Sequence, residues 1–312
     1  MKRYNSIVFA LTATCALTIS GYAQTDTVIV NDTWADVNRT SSGPDGSGID
    51  SAWWASTSAQ NTVPAAGDMR WVIPAGSLFN TTYLPSATSP YGPAGVTLVN
   101  PGDTLAFTWT FALTGVSVLN GNQNFLVGVV NTPGTHLTSN ASPSQQIYAG
   151  YATFMNMSVT LSNASPFALK EWINTSASSL LGASAAWGAN GVAGNLAVTG
   201  TPNNTGFENT TYTYYMSLTL GASGDLLITN SITGGTLLNG VGYESIVYDD
   251  ATPNSLTFDT FAVREGTSSA TASQFDTSLF RVDFISNVPE PSIIALGGLG
   301  VLGLIFARRV RR

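Results

Sequence analysis

Alternation with a period of two dominates the middle of the chain. Residues 104–113 read TLAFTWTFAL, which puts Leu105, Phe107, Trp109, Phe111 and Leu113 on one face and Thr104, Ala106, Thr108, Thr110 and Ala112 on the other. Residues 212–220 repeat the pattern, with Tyr212, Tyr214, Met216, Leu218 and Leu220 together. Further strands are expected at 125–130, 152–161, 226–229, 256–263 and 279–285. Turn chemistry separates them: Pro101-Gly102-Asp103, then Gly221-Ala222-Ser223-Gly224-Asp225, then Thr233-Gly234-Gly235. Strands spaced in this way, without helical segments between them, predict an antiparallel sandwich rather than βαβ units. Only residues 167–181 carry helical spacing, which brings Phe167, Leu169, Trp172 and Ile173 near one another. Residues 182–206 are rich in Gly, Ala and Asn and read as a long surface loop or a weak edge hairpin. No linker-type change of composition interrupts residues 24–287, so a single domain is expected there.

Both ends depart from this pattern. Lys2 and Arg3 precede an apolar stretch over residues 7–19, and Gly21 and Ala23 supply the small residues of a signal-peptidase site. Residues 1–23 are therefore read as a cleaved signal peptide, leaving Gln24 first. Cys15, the only cysteine, departs with it, so the mature chain has neither a disulfide nor a thiolate. At the other end, Val288-Pro289-Glu290-Pro291 is followed by an apolar run to Ala307 and then by Arg308, Arg309, Arg311 and Arg312. A helix over residues 293–307 would be about 22 Å long, against a hydrocarbon core of about 30 Å. The expectation is a transmembrane sorting helix that spans with the help of bilayer thinning and snorkelling arginines. Its basic end would stay inside and the body would lie outside.

The order of features over residues 288–312 resembles the PEP-CTERM sorting tail of Gram-negative bacteria. Val288, Pro289, Glu290 and Pro291 stand at the motif, with Arg308 and Arg309 at its basic end. The resemblance implies an exosortase as processing partner and a transient hold in the inner membrane. It also implies export to the cell envelope, cell surface or extracellular matrix. A second resemblance lies in Asp32-Thr33-Trp34-Ala35-Asp36-Val37-Asn38-Arg39-Thr40, followed by Asp50-Ser51-Ala52-Trp53-Trp54. This is similar to the opening of uncharacterised PEP-CTERM proteins of Verrucomicrobia-type bacteria, with Trp34 in place of phenylalanine and Val37 in place of glycine. It implies a concanavalin-like jelly roll in which the first strand lies beside the last, over residues 279–285.

Charge narrows the partners. The 312 residues carry a formal net charge of -7. Residues 24–287 hold every acidic side chain except Glu290, yet only Arg39, Arg70, Lys170, Arg264 and Arg281 are basic there. Such a surface repels phosphate backbones and argues against nucleic acid.

No catalytic constellation stands out. Concanavalin-like glycosidases place two carboxylates close together, generally from one strand. Here Glu171, Glu208, Glu244 and Glu265 are scattered, and the adjacent Asp249 and Asp250 would point to opposite faces of a strand. His136 follows Pro133-Gly134-Thr135 and is expected on a solvent-facing turn. No cofactor is expected apart from a structural calcium, for which the oxygen-rich turns around Asp45, Asp50, Asp249 and Asp250 offer ligands. Trp53, Trp54, Trp71, Tyr83 and Tyr91 crowd a loop-rich stretch and are the candidates for stacking on a glycan. As neighbours on an extended segment, Trp53 and Trp54 face opposite ways, so at least one belongs to the core. The leading reading is an exported, non-enzymatic envelope or matrix protein associated with exopolysaccharide. The alternatives are a polysaccharide hydrolase or lyase, with a site built from residues distant in sequence, and a lectin-like glycan-binding module.

Overall fold

The computed structural model describes residues 22–40, 50–57, 60–84, 95–119, 123–161, 163–182, 184–188, 195–201 and 203–289. Its strands in chain order begin with β1 (Tyr22–Asp32), β2 (Trp53–Ala55), β3 (Asn61–Ala65), β4 (Asp68–Val72), β5 (Leu78–Tyr83) and β6 (Val96–Thr97). Next come β7 (Thr104–Thr114), β8 (Phe125–Asn131), β9 (Ala149–Met155), β10 (Thr160–Leu161), β11 (Phe167–Glu171), β12 (Asn195–Thr199) and β13 (Asn204–Thr205). The last are β14 (Thr211–Leu220), β15 (Leu226–Gly234), β16 (Tyr243–Asp250), β17 (Thr257–Phe258), β18 (Thr260–Glu265) and β19 (Gln274–Pro289). Residues 25–286 form one compact unit, and residues 1–24 and 287–312 group separately.

Two antiparallel sheets make the sandwich. One has eight strands in the order β16-β15-β14-β7-β19-β4-β3, with β1 also paired to β19. The other has seven, in the order β12-β11-β9-β8-β18-β5-β2. The pairing of β1 with β19 is the neighbourhood that the second resemblance implied.

The period-two pattern determines which faces meet. Across β7 and β14, Phe111 pairs with Tyr212, Trp109 with Tyr214, Phe107 with Met216 and Leu105 with Leu218, and all eight are buried. Burying each such side chain is worth roughly 1.5–3 kcal/mol, so a one-residue slip of register, which would expose the whole set, is strongly disfavoured. On the opposite face of the same strands Thr110 and Thr213 share a hydroxyl hydrogen bond of 3.1 Å, and Thr104 and Thr219 one of 2.8 Å. Between the sheets the core is aromatic. Trp109 stacks on Phe111 with centroids 4.1 Å apart, and Trp71 stacks on Trp109 at 5.2 Å.

The seven-stranded sheet is buried on its outer face as well. Leu126, Val130, Ala152, Phe154, Ala168 and Ala262 form a second apolar layer there with Trp172, Leu180, Leu181 and Trp187 from the segment that follows β11. This corrects the expected helix at 167–181. Phe167–Glu171 is β11, paired to β9 and β12. A strand covered on both faces reads as an unbroken apolar run, which periodicity alone does not separate from a helix. In the Gly- and Asn-rich stretch that follows, the structure places a 3-10 turn, Ser184–Trp187, and the edge strand β12.

The expected transmembrane helix is also corrected. Among the described residues no helix is long and apolar enough to cross a membrane. Residues 293–307 lie outside the described residues. In sequence the run is shorter than the bilayer thickness, and Gly297, Gly298, Gly300 and Gly303 lower its intrinsic helix propensity.

Candidate functional site

The aromatic candidates are placed by strand geometry. Trp53 and Trp71 point between the sheets and are fully buried, with ring centroids 5.4 Å apart. Trp53 also meets Phe280 edge-on at 5.1 Å. Trp54 points the other way and packs with Ala52 and Tyr83 in a small buried cluster against Leu137. Tyr91 lies outside the described residues. The four described rings are thus engaged with protein, and none presents an open face of the kind a sugar would stack on.

The opening motif works as a clasp. Asp32 Oδ1 accepts the Trp34 N–H at 2.8 Å, and Oδ2 accepts both the Ser51 N–H at 3.0 Å and the Ser51 hydroxyl at 2.7 Å. Ser51 Oγ in turn accepts the Trp53 indole N–H at 2.7 Å. Burial holds the Asp32 carboxyl above its usual range, against these hydrogen bonds. The clasp explains the spacing of aspartate, serine and tryptophan in this segment. Within its turn Val37 has φ 61, a left-handed conformation that glycine adopts without cost. This is the position at which the resembled pattern has glycine.

His136 is buried rather than facing solvent, which corrects the sequence expectation. Its Nε2 lies 3.0 Å from Asp259 Oδ2, and the Tyr83 ring stacks on the imidazole at 4.0 Å with planes 12° apart. Asp259 Oδ1 accepts the Thr132 N–H at 2.9 Å and the Thr260 hydroxyl at 2.6 Å. The Tyr83 hydroxyl accepts the Leu137 N–H at 3.1 Å, and burial pushes its phenol up to about 12. The cluster fastens the β8–β9 connection onto the seven-stranded sheet. Asp259 comes from the junction of β17 and β18, so no local spacing announced the pair.

One pair of carboxyls does converge from distant segments. Tyr151 on β9 donates to Asp250 Oδ2 at 2.7 Å, and Asp250 Oδ1 accepts the Thr252 N–H at 3.0 Å. Glu171, at the end of β11, is near enough to feel the Asp250 charge. Burial first, and Asp250 second, push its carboxyl up to about 7. The turn beyond β16 lies against it: the Asn254 N–H donates to Glu171 Oε1 at 3.0 Å, and the Asn254 amide donates to the Trp172 carbonyl at 2.7 Å. Both oxygens of Asp250 and one of Glu171 therefore accept protein donors. The faint sequence signal was alternation: Glu171 follows Phe167 and Leu169 on the inward face of β11, and Asp250 shares a face with Ile246.

Among the described residues, the oxygen-rich turns do not gather into a cation site. Asp45 lies outside the described residues, and Asp50 is buried. Asp249 is exposed and Asp250 buried, on opposite faces of β16. Among the described residues no group of three or more His, Cys, Asp or Glu side chains could hold a metal ion.

Comparison with known proteins locates the informative match at the tail. Residues 287–312 match the PEP-CTERM protein-sorting motif. No curated protein sequence matches the chain. Among solved structures, the chain is similar to peanut lectin in complex with a nine-residue peptide, at 8% identity and a TM-score of 0.46 over 85% of this chain and 99% of that one. It is similar to the exoplasmic/lumenal domain of VIP36 in a form bound to Ca2+ and Man2, at 11% identity and a TM-score of 0.44 over 79% and 85%. It is also similar to the metal-free carbohydrate recognition domain of Emp46p, at 8% identity and a TM-score of 0.42 over 74% and 87%. The chain carries a PEP-CTERM sorting motif, which marks it for exosortase processing and for the envelope or cell exterior, and it folds as an all-β antiparallel two-sheet sandwich.

Proposed function

We propose that this protein is exported, loses its signal peptide after Ala23, is processed by an exosortase at its C-terminal motif and then serves in the envelope or extracellular matrix by binding rather than by catalysis. The observation that carries the reading is the sorting motif over residues 287–312. Two features of the body support a non-enzymatic role. The carboxyls of Glu171 and Asp250 accept protein N–H and O–H donors, and His136 is enclosed by Tyr83 and Asp259. Exopolysaccharide is the partner proposed for the mature protein, because a polar surface poor in cations and rich in Ser, Thr and Asn suits hydroxyl-mediated contact.

The test is to replace Pro289-Glu290-Pro291 by three alanines in the native host and to measure the intact mass of the product. The expected outcome is a product that keeps its C-terminal residues and is not delivered to the matrix. An unchanged mature mass would overturn the sorting reading. Loss of the wild-type mature protein from the matrix fraction on removal of exopolysaccharide is the matching test of its partner.

A further inference from the structure

The two sheets differ on their outer faces. That of the seven-stranded sheet is covered by the segment after β11. That of the eight-stranded sheet is open: Thr108, Tyr215, Ser231 and Ser245 are partly exposed, and Tyr243 is 45% exposed. Register sets these side chains in rows. Ser245 on β16 pairs with Ser231 on β15, Ser231 with Tyr215 on β14, and Tyr215 with Thr108 on β7. The next row runs from Tyr243 through Thr233 and Thr213 to Thr110. At the usual strand spacing each row is about 14 Å long.

The chemistry of this face is uniform. Among the outward-facing residues of β7, β14 and β15 none is charged, and all but Leu227, Ala106 and Ala112 carry a hydroxyl. Charge is confined to the flanks, and there the cations are already held. Arg281 on β19 grips Asp283 with two bonds of 2.8 and 2.7 Å, and Arg70 on β4 donates to Asp276 at 2.6 Å. The paired hydroxyls of Thr110 and Thr213 do not exhaust each other, since a hydroxyl offers one donor and two acceptor positions. Threonine is stiff at χ1 and the strands fix each Cβ, so a partner settling on the rows orders little that is not ordered already.

We propose that this face holds the polysaccharide, and that the occupant is an uncharged glycan laid along the rows across β16, β15, β14 and β7. Hydroxyls of Thr108, Thr213 and Ser231 exchange hydrogen bonds with those of the sugars, and the Tyr215 and Tyr243 rings stack on their apolar faces. Charge selects the class of glycan. A polyanion would find no unpaired cation on the rows or on the flanking Arg70 and Arg281, and the acidic body would repel it. The inference rests on the exopolysaccharide reading and adds to it a site and a class of sugar polymer.

The experiment measures retardation of the mature protein in native gels that contain exopolysaccharide purified from the host, parted by anion exchange into neutral and acidic fractions. The wild type is expected to be retarded by the neutral fraction. Tyr215→Ala, which removes a stacking ring, is expected to bind roughly tenfold more weakly. Thr213→Val combined with Ser231→Ala, which removes two hydroxyls and keeps the shape of the face, is expected to weaken binding by a similar factor of roughly ten. Thr175→Val combined with Ser176→Ala, at exposed positions on the segment covering the other sheet, is expected to bind as the wild type does. Wild-type protein retarded by neither fraction would remove the exopolysaccharide reading and this site with it. Retardation of the wild type that Tyr215→Ala and the Thr213 and Ser231 pair leave unchanged would overturn the site alone. Binding to the acidic fraction only, or a wild-type dimer in sedimentation that the face variants convert to monomer, would also overturn it. Circular dichroism of each variant separates lost binding from lost fold.

Discussion

The phenol of Tyr151, on the seven-stranded sheet, donates to the Asp250 carboxyl, on the eight-stranded sheet, across 2.7 Å. It is one of several polar ties between the two layers, with the Thr153 and Tyr214 hydroxyls 3.0 Å apart, the Thr199 hydroxyl donating to Glu244 at 2.7 Å and the Asn61 amide donating to Asn80 at 3.2 Å. Burial, reinforced by the proton's engagement with Asp250, pushes the Tyr151 phenol far above its ordinary range, so it remains a donor at all working pH values. Removing the hydroxyl leaves a buried carboxyl short of one partner, which typically costs about 1–3 kcal/mol. Tyr151→Phe is therefore expected to lower the unfolding free energy by that amount, seen as a lower urea midpoint without a change of slope. A double-mutant cycle with Asp250→Asn should return a coupling above about 0.5 kcal/mol. Additive losses would show that the two side chains do not act together.

Glu265 is fully buried on the inward face of β18, and loss of hydration pushes its carboxyl up to about 8. Glu171 reaches about 7 for the same leading reason. In both cases the folded protein holds a proton that the unfolded chain releases near 4.5. Stability is therefore greatest below that pH for these groups, and it falls as pH rises through the folded values. Stability is expected to decline between pH 5 and 8.5, on the order of 1.4 kcal/mol per pH unit for each group that titrates fully and by less at Glu171, which is partly exposed, and to be read as a falling Tm. Glu265→Gln should remove the steeper part of the decline and be more stable than the wild type at pH 8.5. A Tm flat across this range would contradict the assignment.

Val37 is the simplest strain to relieve. With φ 61 and half its surface in solvent, it gives up little packing on substitution. Val37→Gly is expected to stabilise the protein by about 1 kcal/mol, because a β-branched residue in the left-handed region costs more than glycine's extra freedom in the unfolded chain. Thermal unfolding would check this, and a destabilised variant would show that the valine side chain matters more than its backbone.

The two adjacent tryptophans should behave differently. Trp53→Ala opens a void among Trp71, Phe261 and Phe280 and is expected to cost roughly 3–5 kcal/mol. Trp54→Ala touches only the small cluster with Ala52 and Tyr83 and should cost less than half as much. Equal losses by chemical denaturation would contradict the separation of the two layers.

Strands such as β7 and β14 were legible because one face meets the core and the other carries threonine, so alternation survives in the sequence. β11 was not legible, because Ala168 and Lys170 are as buried as Phe167 and Leu169, and a strand with two covered faces loses its period. His136 was misread for another reason. A Pro-Gly turn signals where the chain bends but not what it bends onto, and Asp259 reaches the imidazole from a remote strand junction. The sorting tail was legible without any fold because it is read as a linear order of residues.

β19 is the last strand of the sandwich in chain order, yet it lies inside the eight-stranded sheet, between β7 and β4 and also paired to β1. A nascent chain that has emerged only as far as β18 therefore has a gap in the middle of that sheet, with the unpaired edges of β1, β4 and β7 waiting. Export and assembly are tied together by this arrangement. The body can close only after its final segment has crossed, so a stalled or prematurely cut chain should be left open and vulnerable to proteases instead of being displayed as a finished module.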